Sequence, residues 1–100
     1  MIELSSTDEF DEWLHGLKNA VGRGRVLSQL ERFRDGNFGD WKAVGSGVCE
    51  CRIDFGPGYR VYYFGHGSEA VLLFCAGTKK TQARDIAKAI RMAKQLSKPS

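Results

Sequence analysis

Arg52, Arg60, Tyr62 and Lys79 are the side chains whose types and spacing could do chemistry in this chain. They fall within the stretch from Cys49 to Lys79, which reads as three consecutive antiparallel strands. Cys49, Cys51, Ile53 and Phe55 alternate with Val48, Glu50, Arg52 and Asp54, so one face of the first strand is apolar and the other carries charge. Gly56-Pro57-Gly58 predicts a reversal, because Pro57 presets φ and a glycine accepts the positive φ of a tight turn. A three-residue loop would set Asp54 opposite Arg60 and Arg52 opposite Tyr62. A two-residue loop would instead drive Arg60 onto the apolar side, where unpaired charge is costly. The first register gathers two arginines, a carboxylate and a phenol on one wet face. Lys79 and Lys80 leave the end of the third strand, Ala70 to Ala76, close to where Arg60 would be presented. Cationic and phenolic groups thus converge on one sheet edge. The plainer reading of the same residues is a half-exposed sheet with Arg60 salt-bridged to Asp54, and Tyr59 and Tyr62 could equally be sheet packing.

Other reactive types lead to less. His66 sits in a Gly-His-Gly-Ser turn and His15 on the polar side of a helix, both positions for exposed bystanders. Cys49 and Cys51 are neighbours on one strand face, a poor geometry for a disulfide, and a lone Cys75 makes neither a CxxC pair nor a zinc quartet. Buried structural thiols and no metal or cofactor are expected. Trp13, Trp41 and Phe38 read as core or loop anchors.

The elements that must hold these residues follow from patterning. Met1 to Leu4 could supply a short edge strand. Ser6-Thr7-Asp8-Glu9 has the form of a capping box, and Phe10, Trp13, Leu14 and Leu17 follow at helical spacing. Asn19 to Gly24 predicts a corner between two antiparallel helices. Val26, Leu27, Leu30 and Phe33 give the second stripe, which ends at Gly36, a suitable left-handed residue past a helix end. Residues 36–40 form a loop, and Trp41 to Val44 begins the sheet again. The unalternating run from Ala70 to Ala76 suggests a strand covered on both faces. Thr81 can cap a last helix whose Ile86, Ala89, Ile90, Ala93 and Leu96 face inward, while Arg84, Lys88, Arg91 and Lys98 take another side; residues 97–100 are expected to fray. The order is β-α-α-β-β-β-β-α, an α+β domain with a twisted, mainly antiparallel sheet and helices packed on one face.

One hundred residues make one domain, 1–100. An apolar share of 42% with 27% charged residues is ordinary for a soluble globular protein, and no window approaches a membrane span or a signal peptide, so a cytoplasmic protein is expected. The net charge of +3 hides a gradient: residues 1–20 sum to −4 and residues 79–98 to +6. A basic end of that density could bind an anionic polymer or an acidic protein.

GNFGDWKAVGSGVCECRI, then GPGYRVYYF, then LLFCAGTKKTQARDI, behind an N-terminal FDEWL helix, closely resembles the RelE/ParE toxin superfamily, in its HigB-like "addiction module killer" branch. The likeness covers roughly residues 1–96. It implies the toxin of a type II toxin–antitoxin pair, a RelE-like fold, and neutralisation by an antitoxin that is commonly a small helix-turn-helix DNA-binding protein. RelE-type members enter the ribosomal A site and cleave the messenger there, whereas ParE-type members inhibit DNA gyrase. Carried over residue by residue, Arg60 of GYR matches the arginine aimed at the scissile phosphate, and Lys79 falls near a second cationic catalytic position. Arg52 lies near a lysine-bearing strand of that site, and acidic Asp85 stands near the place of the family's C-terminal tyrosine. RNA cleavage through the 2′-OH needs a proton acceptor, cations for charge on phosphorus and a proton donor to the 5′ oxygen. Arg60 and Lys79 suit the cations; Arg stays charged, so Tyr62, Lys79 or a ribosomal group would move the proton. Lys80, Arg84, Lys88 and Arg91 would meet RNA or the ribosome. The resemblance thus predicts a ribosome-dependent mRNA endonuclease whose partners are an antitoxin, the ribosome and mRNA, with no membrane. A gyrase inhibitor, or a degenerate toxin that only binds its antitoxin, are the rivals.

Overall fold

The computed structural model describes residues 1–96; the frayed end expected over 97–100, including Lys98, lies outside them. Strand β1 (Glu3–Ser6) leads into helices α1 (Asp8–Gly16) and α2 (Ala20–Arg34). Strands β2 (Asp40–Gly45), β3 (Val48–Ile53), β4 (Tyr59–Phe64) and β5 (Ala70–Thr78) follow. A short 3₁₀ turn at Lys79–Thr81 feeds α3 (Gln82–Leu96). The sheet order is β1-β5-β4-β3-β2, with β1 parallel to β5 and every other pair antiparallel. The α+β order read from the sequence is the one observed.

Local chemistry sets the helix ends. Thr7, one residue beyond the predicted Ser6, caps α1 by accepting from Phe10 N–H at 3.0 Å, and its hydroxyl donates to Phe74 C=O at 2.6 Å. That second bond ties the helix to β5, while the Ser6 hydroxyl donates to Asp11 Oδ1 at 2.6 Å. Asn19 Oδ1 accepts from Gly22 N–H at 2.9 Å, so α2 starts inside the stretch predicted as a corner and runs through Gly22 and Gly24. Gly22 is needed there because a Cβ would overlap the Tyr59 ring.

The helices do not share one face. Phe10, Val26, Leu30 and Phe33 of α1 and α2 pack on Cys49, Cys51, Val61 and Tyr63. Ala89 and Ala93 of α3, with Ile86 and Ile90, pack on Val48, Tyr62, Phe74 and Cys75 of the opposite face. Leu96, expected to face inward, is 56% exposed. The face read as wet is therefore largely roofed by α3. Its polar residues disguised this, because a buried ion pair gives a strand the same alternation as a solvated face. Among the described residues, no helix is long and apolar enough to cross a membrane.

Candidate functional site

Two cross-strand rungs on the α3 side of the sheet carry the polar chemistry. The inner rung runs Lys42, Glu50, Tyr62, Cys75, and the rim rung runs Asp40, Arg52, Arg60, Gly77. The predicted register set Arg60 opposite Asp54 and Arg52 opposite Tyr62. The turn instead spans residues 54–58 and places Arg52 opposite Arg60, a shift of two that preserves which face each side chain takes. Like charges directly opposite repel. Carboxylates on either side offset this: Asp40 lies 3.2 Å from Arg52 Nε, and Glu50 Oε2 lies 3.8 Å from Arg60 Nε.

The rim rung opens into a cleft of about 450 Å³ lined by Asp40, Arg52, Ile53, Asp54, Gly56, Pro57, Gly58, Tyr59, Arg60 and Lys79. Arg52, Arg60 and Lys79, three of the four predicted catalytic residues, are thus brought together. Arg60 is the most enclosed of the three: its side chain is 8% exposed, and Nη1 donates to Gly58 C=O at 3.1 Å. Arg52 and Lys79 are exposed, Arg52 in its ion pair with Asp40.

Tyr62 does not line this cleft. It is fully buried under α3 and donates to Glu50 Oε2 at 2.9 Å. Burial, then the hydrogen bond to Glu50, push its phenol far above the ordinary tyrosine range, so it holds its proton. Apart from the arginines, the lining side chains that can give or take a proton are Lys79, Asp40, Asp54 and the Tyr59 hydroxyl. His66 does not line the cleft either, its Nδ1 lying 2.9 Å from the Tyr63 hydroxyl on the other face.

Glu50 is the organising residue that the sequence reading passed over. Fully buried, it accepts from Tyr62 Oη and Gln82 Nε2, each at 2.9 Å, and faces Lys42 Nζ at 3.9 Å. A buried carboxylate is tolerated only when paired and hydrogen-bonded; both bonds here fall on Oε2, while Oε1, which faces Lys42, and the Arg60 Nε have ion-pair neighbours but no hydrogen bond among the described residues. One signal was present: Glu50 sits among Val48, Cys49, Cys51 and Ile53, beside a strand aromatic on both faces, YRVYYF. Asp85, also buried, accepts from Thr81 Oγ1. A Cβ on Gly77 would overlap both, so glycine on β5 lets the start of α3 close over the rung.

Of the predicted RNA-facing bases, Lys80, Arg84 and Arg91 are exposed. Lys88 is engaged with Glu9 of α1 at 2.7 Å.

Comparison with known proteins places this geometry in context. The family model described as "Phage derived protein Gp49-like" matches residues 9–98. An uncharacterized protein of Haemophilus influenzae is 42% identical over 95 residues, which cover 95% of this chain and 96% of that one.

Proposed function

We propose a toxin's role for this chain, which belongs to the phage-derived Gp49-like family: the growth-arresting member of a type II toxin–antitoxin pair, of HigB-like type, acting in the cytoplasm on translated messenger. The observation that carries this reading is the cleft shared by Arg52, Arg60 and Lys79. A scissile phosphate seated on the enclosed Arg60 would have its charge met further by the two exposed cations as it grows. Lys79, Asp54 or a ribosomal group would move the protons, since Tyr62 is sealed away. The partner that silences the toxin would be a small helix-turn-helix antitoxin, and the exposed Lys80, Arg84 and Arg91 would engage RNA, ribosome or antitoxin carboxylates.

The test is to induce the chain alone and map messenger ends, with Lys79→Ala and Arg52→Ala beside the parent. Both residues are exposed, so neither change should disturb folding. Codon-aligned cuts that vanish with Lys79→Ala are expected; growth arrest without cuts would overturn the nuclease. The buried phenol favours one second reading, a gyrase inhibitor with no chemistry of its own, for which double-strand DNA breaks would replace the RNA cuts.

A further inference from the structure

A second cleft, also about 450 Å³, opens beside β2 and is lined by Ile2, the 36–39 loop, Trp41, His66, Gly67 and Ser68. Trp41 pairs with Cys51, so its side chain belongs to the face that α1 and α2 cover. The indole is nevertheless 44% exposed. The His66 imidazole lies against it, ring centroids 3.8 Å apart and planes 32° from parallel. His66 is itself held by the Tyr63 hydroxyl at 2.9 Å and by Phe38, whose ring is 4.7 Å away. Phe38 in turn stacks on Tyr63 at 5.2 Å and 15°. The half-exposed indole is therefore the outermost plate of a ring stack anchored in the core. A partner ring meeting so fixed a surface forfeits little motion in the protein. The cleft around it is polar, although Gly36 N–H donates to Phe33 C=O, Gly39 N–H to Asn37 Oδ1 and the Ser68 hydroxyl to the Gly65 and Ala70 carbonyls.

We infer that this second cleft is a nucleobase-stacking subsite, in which Trp41 receives a base of the same RNA strand whose phosphates occupy the cationic cleft. The inference rests on RNA being the target proposed above. Its own support is the adjacency of the two clefts: Asp40 lines the cationic one and Trp41, the next residue, lines this one. Consecutive strand side chains point to opposite faces, so a ligand strand wrapped round the free edge of β2 would meet the Arg52 guanidinium on one face and the Trp41 indole on the other. Single-stranded nucleic acid presents that combination, an anionic backbone with a flat ring on each unit. An acidic peptide presents the charge without the ring.

The test uses the full chain, a single-stranded RNA hexamer, and a strand of equal phosphate count with base-less sugars, followed by tryptophan fluorescence. RNA should quench Trp41 and bind about tenfold or more tighter than the base-less strand, the usual effect of one stacked base. Trp41→Ala should remove that advantage while leaving the salt dependence unchanged, since the latter reports phosphate contacts. Trp41→Phe should keep most of it, and His66→Ala should lose part. Trp13, packed on Phe10 and Tyr59, remains as a reporter of the fold in the variants. Equal affinity for the two strands, unaltered RNA binding by Trp41→Ala, or no RNA binding up to millimolar concentration each overturns the subsite. Messenger-end mapping separates this from the toxin reading. Cuts without base-dependent binding would sink the subsite alone, and base-dependent binding without cuts would sink the nuclease alone.

Discussion

Glu50 governs the cationic cleft without lining it, and this sets how Arg60 can be tested. Truncating Arg60 leaves a buried carboxylate with Tyr62, Gln82 and the more distant Lys42 as its company. Arg60→Ala should therefore cost about 3–5 kcal/mol of stability, so its loss of toxicity would be ambiguous. Replacing both partners and the phenol that donates to them, Glu50→Met with Arg60→Leu and Tyr62→Phe, should recover most of that stability while removing the cleft's fixed cation, as urea midpoints would register. A cost under ~1 kcal/mol for Arg60→Ala would mean the pair does not organise the rung. The cysteines give a second residue-scale expectation. Burial first, then nearby carboxylates, push the Cys51 and Cys75 thiols from 9.0 up to about 12. Between those values the native state keeps protons that the unfolded chain has lost. Stability is then full below about pH 9 and falls as pH rises toward 12, by up to ~1.4 kcal/mol per pH unit for each thiol. Denaturant titrations at pH 8 and pH 10.5 check the slope. Alkylation at pH 8 should be slow in the folded protein and fast in urea.

At the scale of elements, the critical contact is between β5 and the start of α3. Gly77→Ala forces a methyl into the Asp85 carboxylate and the Thr81 hydroxyl, two groups already bonded to each other. Overpacking of this kind should cost about 1–3 kcal/mol and lift α3 from the rung, exposing Glu50 and Tyr62. Hydrogen exchange localised to the first turn of α3 would report this, and unchanged exchange would show that the seam can yield. The Glu9 to Lys88 bridge joins α1 to α3 from opposite faces of the sheet, yet both groups are partly solvated. Lys88→Ala should change stability by less than ~1 kcal/mol. Because its ammonium is already engaged, the same change should weaken RNA binding less than Arg91→Ala does, in a filter or fluorescence titration.

Across the whole molecule, the charge gradient resolves into separate uses. Asp40 and Asp54 lie among the cations of the cleft, Glu50 sits beneath it, Glu9 binds Lys88 and Asp85 lies 3.7 Å from Arg84 Nε, so the exposed bases of the described C-terminal stretch are Lys79, Lys80, Arg84, Arg91 and Lys94. If Arg52, Arg60 and Lys79 each contact one phosphate, the logarithm of RNA affinity should fall against the logarithm of salt with a slope of about −2, and Lys79→Ala should flatten it by about 0.7. A slope near zero would place binding elsewhere. By itself the sequence determined the element order, the two-residue alternation that keeps Arg52, Arg60 and Glu50 on one face, and the return of Lys79 to Arg60. These follow from local periodicity and turn chemistry, which act over a few residues. The tertiary structure alone decided that α3 roofs the polar face, that Glu50 and Tyr62 are sealed while Arg52 stays open, and that Trp41 is backed by His66. In sequence, Glu50 and Tyr62 are twelve residues apart, and Gln82 is thirty-two from Glu50. Whether an acid in a strand meets water or a buried arginine depends on what packs above it, and packing between distant segments leaves no period in the chain.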